Sequence, residues 1–364
     1  MISLGQQALL APRQPRGRQW EYSDSYPDAM TNSTGLRVAV VGAGSWGTTV
    51  ASLCAANASV MLWARQPDVA MSVNLTHCNQ VYLPDIVLHQ TLRASADLAE
   101  VVGGADIVLM AVPSHGFRNV AQQAAPFMSA KVPIVSLAKG LERGTLLRLS
   151  QVVFDVIPGH PVAVLTGPNL ASEIALGQPA ACVVAVNDAD VAVQLQDILS
   201  SATLRVYTNS DVIGCEIAGV VKNVIAIAAG MASGMGFGEN SRATLITRGL
   251  AEMTRLAMAM GGNAPTLSGL AGVGDLIATC SSMKSRNTTV GVRLGQGESL
   301  DDILSSMSMV AEGVKSSPSV LELATRHSVD MPITEQVVAV CRDGATAKEA
   351  LTALMSRTSK SEIV

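Results

Sequence analysis

The chain has 364 residues, 48% hydrophobic but only 3% aromatic, with 31 glycines and a net charge of −4. That length suits two domains or one large one, and a profile rich in Ala, Val, Leu and Gly suits an α/β enzyme core. A mildly acidic chain offers no global basic field to nucleic acid or to an anionic membrane.

Residues 1–34 differ from the rest: R-Q-P-R-G-R, Y-S-D-S-Y-P-D and T-N-S-T-G carry little apolar periodicity. The segment lacks the apolar core of a signal peptide and is expected to be a disordered tail. Met30 is a second candidate start of translation, which peptides from residues 1–29 in the native protein would rule out.

Residues 37–47 read R-V-A-V-V-G-A-G-S-W-G. Val38 to Val41 form a short apolar run typical of a buried parallel strand. Gly42, Gly44 and Gly47 follow in G-x-G-x-x-G spacing, and T-T-V-A-S-L-C-A-A then reads as a helix. In such a turn the first glycine permits the bend, the second lets a pyrophosphate approach the backbone, and the third lets helix and strand pack closely. The helix N-terminus supplies N–H groups for the phosphates.

The second strand, 59–65, ends in Arg65. A fold selecting NAD usually ends this strand with an acid that bonds the ribose 2′-OH. A guanidinium attracts a 2′-phosphate instead, so NADPH is the preferred cofactor reading and NADH the other. Further strands are expected at 105–113, 132–140, 161–168, 180–186 and 204–208. Helical patterns separate most of them, as parallel crossovers require.

From about residue 212 the strands stop and Ala/Leu/Met-rich helical patterns run to residue 353. The expected organisation is α/β: a Rossmann-type dinucleotide-binding domain (35–211), an all-helical substrate domain (212–353) and a C-terminal tail (354–364). The site would lie at the carboxyl ends of the strands, between the domains.

Residues 216–230, E-I-A-G-V-V-K-N-V-I-A-I-A-A-G, place Lys222 in the middle of an apolar stretch. Lys222 and Asn223 interrupt what would otherwise be the best candidate for a membrane span, so no membrane insertion is expected. Desolvating an ammonium costs several kcal/mol, so the lysine needs a partner or a task. Its helical face carries Ala218, Gly219, Ala226 and Ala229, which leave room for a close helix or for a substrate. Proton transfer suits a buried lysine; from this stretch alone a snorkelling lysine or a buried ion pair is the simpler explanation, and the rest of the chain reverses that balance.

Four segments add polar groups. Lys139 lies just past a strand end, and T-G-P-N-L-A-S-E (166–173) places Gly167 and Asn169 past another. G-L-A-G-V-G-D-L-I-A-T-C (269–280) reads as a Gly-rich loop ending in Asp275. Ser285, Arg286 and Asn287 stand at an expected helix start, where they would make an anion site. The cysteines (54, 78, 182, 215, 280 and 341) are scattered, with no C-x-x-C and no metal-ligand spacing. A reduced cytoplasmic protein without a metal is the simplest expectation.

Taken together, G-A-G-S-W-G-T, S-L-A-K-G-L-E, T-G-P-N-L-A-S-E, the Lys222 stretch, G-V-G-D-L-I-A-T-C and S-R-N resemble the bacterial NAD(P)-dependent glycerol-3-phosphate dehydrogenase family over residues 36–350. The resemblance implies reversible reduction of dihydroxyacetone phosphate to sn-glycerol 3-phosphate, feeding phospholipid synthesis. It implies Lys222 as the catalytic acid/base, with Lys139, Gly167, Asn169, Asp275, Ser285, Arg286 and Asn287 holding the substrate. It assigns Ser45, Trp46, Arg65, Lys139, Ala171, Arg286, Val310 and Glu312 to the cofactor. Asn169 departs from the family, which commonly has serine there.

Two other readings compete. A 6-phosphogluconate or 3-hydroxy-acid dehydrogenase also pairs a dinucleotide domain with a helical lysine, and the S-R-N cluster could serve a carboxylate as well as a phosphate. A dinucleotide-sensing protein without turnover would have no need of Lys222, Lys139 and Asp275 together. The sequence leaves the oligomeric state open, a homodimer being one assembly it admits.

Overall fold

Strand β1 (Arg37–Val41) is buried from Val38 onward, as expected for the centre of a sheet covered on both faces. The computed structural model describes residues 35–307, 311–358 and 361, so the expected N-terminal tail and the Met30 start lie outside the described residues. The other strands are β2 (Ser59–Trp63), β3 (Arg93–Ser95), β4 (Ile107–Met110), β5 (Ile134–Ser136), β6 (Val162–Thr166), β7 (Ala180–Ala185) and β8 (Leu204–Asn209). Their order is β3-β2-β1-β4-β5-β6-β7-β8. Strand β3, a three-residue edge strand, was not expected; R-A-S has too few apolar residues to show an alternation.

All neighbouring pairs run parallel except β6 and β7, which are antiparallel. The expected helical crossovers separate most of the strands, and the antiparallel pair is where one is missing, for a local reason. The only helix between β6 and β7 is Ala171–Ala175, five residues long. It rises roughly 7 Å, whereas a five-residue strand runs about 16 Å. The chain therefore does not return to the opposite end of the sheet, and β7 starts where β6 stops.

Beyond β8 the architecture is helical. Helix α2 (Val212–Gly234) is capped by Asp211, whose Oδ1 accepts the Gly214 N–H at 2.8 Å while Oδ2 accepts that of Asn263 at 2.8 Å. At 23 residues α2 is, contrary to expectation, long and apolar enough by composition to cross a membrane. Every residue from Gly214 to Ala232 is nonetheless buried, with other helices and β6 packed around it. The helical part ends with Ala347–Met355, which carries the ordered fold two residues past the expected limit of 353.

Helix α4 (Arg286–Gly295) packs on α2 at unusually close range. A Cβ on Gly230 would lie 2.9 Å from Gly291 Cα, and one on Gly234 would lie 3.0 Å from Gly295 Cα. Two glycines on each helix, one turn apart, thus bring the backbones together. The consequence is positional: the N-terminus of α4, carrying Ser285, Arg286 and Asn287, is held beside the middle of α2, where Lys222 sits.

Candidate active site

The strand order reverses beside β1, and the crevice at the carboxyl ends of β1 and β4 is where such a sheet binds a ligand. Gly42 follows β1 with φ +120°, and its position lies against β4: a Cβ there would be 2.9 Å from the Ala111 carbonyl oxygen. A Cβ on Gly47 would sit 2.0 Å from the Gly42 carbonyl oxygen, so helix α1 (Ser45–Cys54) needs a glycine to approach the turn. Gly44 is different: a Cβ there would meet nothing within 4 Å. Protein packing does not demand that glycine, whereas a pyrophosphate laid on the N-terminus of α1 would. The indole Nε1 of Trp46 is also buried without a partner among the described residues. Both observations fit a dinucleotide.

Around this turn, Ser45 Oγ donates to the Tyr82 carbonyl at 3.0 Å, and the Ala171 carbonyl accepts from Thr49 Oγ1 at 3.4 Å. The first contact ties the start of α1 to the connection between β2 and β3, and the second ties α1 to the segment after β6. Arg65 is exposed two residues beyond the end of β2, not within the strand as expected. Val310 lies outside the described residues.

The lysines meet at Asp275. Lys222 is 6% exposed and Asp275 1%. Lys222 Nζ donates to Asp275 Oδ1 at 2.7 Å and to Thr279 Oγ1 at 2.6 Å. Lys139 Nζ donates to Asp275 Oδ2 at 2.7 Å, to Asn169 Oδ1 at 2.6 Å and to the Gly167 carbonyl at 3.0 Å. An ammonium has three protons. Those of Lys139 are all committed to protein, while Lys222 keeps one without a protein partner among the described residues. Two ammoniums share one carboxylate, so the cluster carries a net positive charge suited to an anionic ligand. Burial pushes the Lys139 pKa down to about 8; Asp275 opposes that fall, and the neighbouring Lys222 adds to it.

Asp275 does not end a loop, as the glycines of 269–274 suggested. Leu270–Gly274 form a turn of π-helix that runs directly into helix α3 (Asp275–Ser281). Such turns concentrate at functional positions, and here one sets Asp275 at the start of a helix. Thr279 is four residues on, on the same face. Read as helix rather than loop, D-L-I-A-T would have disclosed Thr279 as a partner of Lys222.

Ser285 caps α4, its hydroxyl accepting the Thr288 N–H at 3.3 Å. Arg286 is exposed by area, yet enough protein surrounds its guanidinium to push its pKa downward, with Glu312 opposing. Glu312 begins helix α5 (Glu312–Arg326), and its Oε2 accepts from Ser114 Oγ at 3.2 Å. Asn287 is buried, with its side chain bonded to Asn223 and to the Gly313 N–H. Ser114 and Asn223 are the partners that orient Glu312 and Asn287, and the sequence did not single them out for that role.

This arrangement has close counterparts. Residues 37–192 match the NAD-dependent glycerol-3-phosphate dehydrogenase N-terminus family, and residues 211–352 match its C-terminus. The chain belongs to the NAD-dependent glycerol-3-phosphate dehydrogenase family.

Among its relatives is a glycerol-3-phosphate dehydrogenase [NAD(P)+] of Sphingopyxis alaskensis, 52% identical over 320 residues, covering 88% of this chain and 96% of that protein. The one from Thermobifida fusca is 51% identical over 330 residues, covering 90% and 98%. The crystal structure of the glycerol-3-phosphate dehydrogenase from Coxiella burnetii superposes with a TM-score of 0.85 at 37% identity, covering 88% of this chain and 99% of that one. The family's two-part architecture, a Rossmann-type sheet followed by helices, is the one found here. Membership favours the phosphate-substrate dehydrogenase over the other dehydrogenase classes and over a sensor without turnover.

Proposed function

We propose that this enzyme interconverts dihydroxyacetone phosphate and sn-glycerol 3-phosphate with NADPH or NADH, and that Lys222 donates the proton in the direction of reduction. One observation carries the assignment of Lys222: among the described residues its ammonium keeps an uncommitted N–H, whereas Lys139 has spent all three. Lys222 is thereby free to hydrogen-bond the substrate carbonyl oxygen and to protonate it as negative charge grows there. Positioned acid catalysis of this kind contributes about 10²–10⁴-fold. Asp275 and Thr279 hold the ammonium in place, and Lys139 adds fixed positive charge close to the developing oxyanion.

Residues 35–211 form the proposed cofactor domain. Gly42, Gly44, Ser45, Trp46 and Gly47 would hold the pyrophosphate, with Ala171, Lys139, Arg286 and Glu312 toward the nicotinamide and Arg65 at the adenosine ribose. When bound, the cofactor supplies the hydride. Residues 212–353 form the substrate domain. Arg286 and the N-terminus of α4 would take the phosphate, turning remote binding energy into orientation at the carbonyl. The exposed Arg65 supports a preference for the 2′-phosphorylated cofactor. The six cysteines, all free and buried, support a reducing, cytoplasmic setting.

The test is to mix the protein with NADPH and a panel of carbonyl substrates and follow nicotinamide absorbance. Oxidation with dihydroxyacetone phosphate, and not with the keto forms of 3-hydroxy acids, is the expected result. Turnover confined to a carboxylate substrate would overturn the reading.

A further inference from the structure

Asn287 points inward. Its Oδ1 accepts the Gly313 N–H at 2.9 Å, and its Nδ2 donates to Asn223 Oδ1 at 2.9 Å. The amide of Asn223 donates in turn to the Gly219 carbonyl one helical turn back, at 3.3 Å. Each amide is thus oriented by its neighbour: turning either over would set donor against donor or acceptor against acceptor. Both side chains are buried, and Gly313 is wedged between them. A Cβ at 313 would lie 2.5 Å from the Asn223 carbonyl oxygen and 2.9 Å from Asn287 Oδ1.

The two ends of this chain of bonds reach different places. At one end Glu312, adjacent to Gly313, accepts from Ser114, which opens the helix following β4 at the rim of the dinucleotide crevice. At the other end Asn223 adjoins Lys222 on α2, and Asn287 adjoins Arg286 on α4. A buried polar group left without its partner is costly, so these segments are constrained to shift together rather than singly.

We propose that Asn223 and Asn287 form a buried relay through which the cofactor site and the substrate site strengthen one another. Fixing Glu312 and Gly313 from the cofactor side fixes the Asn287 amide, and with it the backbone that presents Arg286 and the turn that presents Lys222. Asn223 and Asn287 are then positioning residues. The relay rests on the assignment of cofactor and substrate sites above.

NADPH and glycerol 3-phosphate are both reduced and do not react with each other, so the two can be bound together at equilibrium. The Kd of NADPH is read from nicotinamide fluorescence with and without glycerol 3-phosphate, and the Kd of glycerol 3-phosphate with and without NADPH. In the wild type each ligand should tighten the other by the same factor, on the order of 5–150-fold. Asn223→Ser keeps a hydroxyl able to bond the Gly219 carbonyl but too short to reach Asn287. That variant should lose the coupling, to within about twofold of none, while its affinity for NADPH alone stays within about twofold of wild type. A melting curve confirms that it folds, and Asn223→Ala replaces it if it does not. Undiminished coupling in the folded variant would overturn the relay, as would a wild type without coupling. So would a variant that loses affinity for each ligand alone but keeps the coupling, since that marks a merely structural residue. A wild type that binds neither ligand would instead overturn the functional reading beneath it.

Discussion

Lys139 and Lys222 approach from different parts of the fold and meet on the two oxygens of Asp275, each at 2.7 Å. The sharing is unequal in its consequences. Lys139 is also held by Asn169 and Gly167, whereas among the described residues Lys222 is held by Asp275 and Thr279 alone. The first arrangement fixes a charge; the second leaves a proton to give.

The Lys139 pKa of about 8 makes this charge pH-dependent. As pH rises through 8 the free enzyme loses it, so kcat/KM for dihydroxyacetone phosphate should fall above that value. Lys139→Arg, which stays charged, should move the alkaline limb upward even if its absolute activity is lower. An unmoved limb would place the titration elsewhere. Stability should follow the opposite sign. Between about 8 and 10.5 the unfolded chain holds more protons at this site than the folded one, so the contribution of Lys139 to stability is least below pH 8 and grows as pH rises through that window.

Thr279→Val keeps the shape of the side chain but removes an oxygen 2.6 Å from Lys222 Nζ. Losing one such bond, worth ~0.5–1.5 kcal/mol net, should lower kcat roughly three- to tenfold with little change in KM. A change confined to KM would mean that Thr279 serves substrate binding and not the orientation of Lys222.

Much of this site was legible in the sequence because it is local. The fingerprint glycines, the strand ends before Lys139 and Gly167, and the helix start at Ser285 each rest on short-range chemistry, and each stands where that chemistry places it. What stayed hidden depends on pairs distant in sequence. Nothing near Lys222 announces Asp275, 53 residues away, as its partner. Glycines at 269–274 suggested a loop because a π-helical turn has no strong periodicity of its own. The reversal of β7 turns on the length of one short helix, and the inward direction of Asn287 on a backbone amide 26 residues further on.

Arg286 provides a test of phosphate recognition. Arg286→Ala should raise KM for dihydroxyacetone phosphate at least tenfold, the scale of a lost charge-assisted hydrogen bond, and much less for unphosphorylated dihydroxyacetone. Equal losses on both substrates would remove Arg286 from the phosphate site.

Arg65 provides the corresponding test for the cofactor. Arg65→Ala should weaken NADPH by roughly ten- to a hundredfold and leave NADH nearly unchanged, with the difference shrinking as salt rises. Parallel losses of both cofactors would mean that the guanidinium packs on the adenine and does not read the 2′-phosphate.

The role of Lys222 as proton donor is tested most directly by Lys222→Met, because methionine keeps the length and apolarity of the buried stem. Steady-state turnover of NADPH and dihydroxyacetone phosphate is compared with the wild type, alongside NADPH binding and a melting curve. A proton-donor role for Lys222 requires a loss of at least ~10²-fold in kcat with NADPH affinity largely kept. Near-normal turnover by the folded variant would contradict it and make Lys222 a structural partner of Asp275.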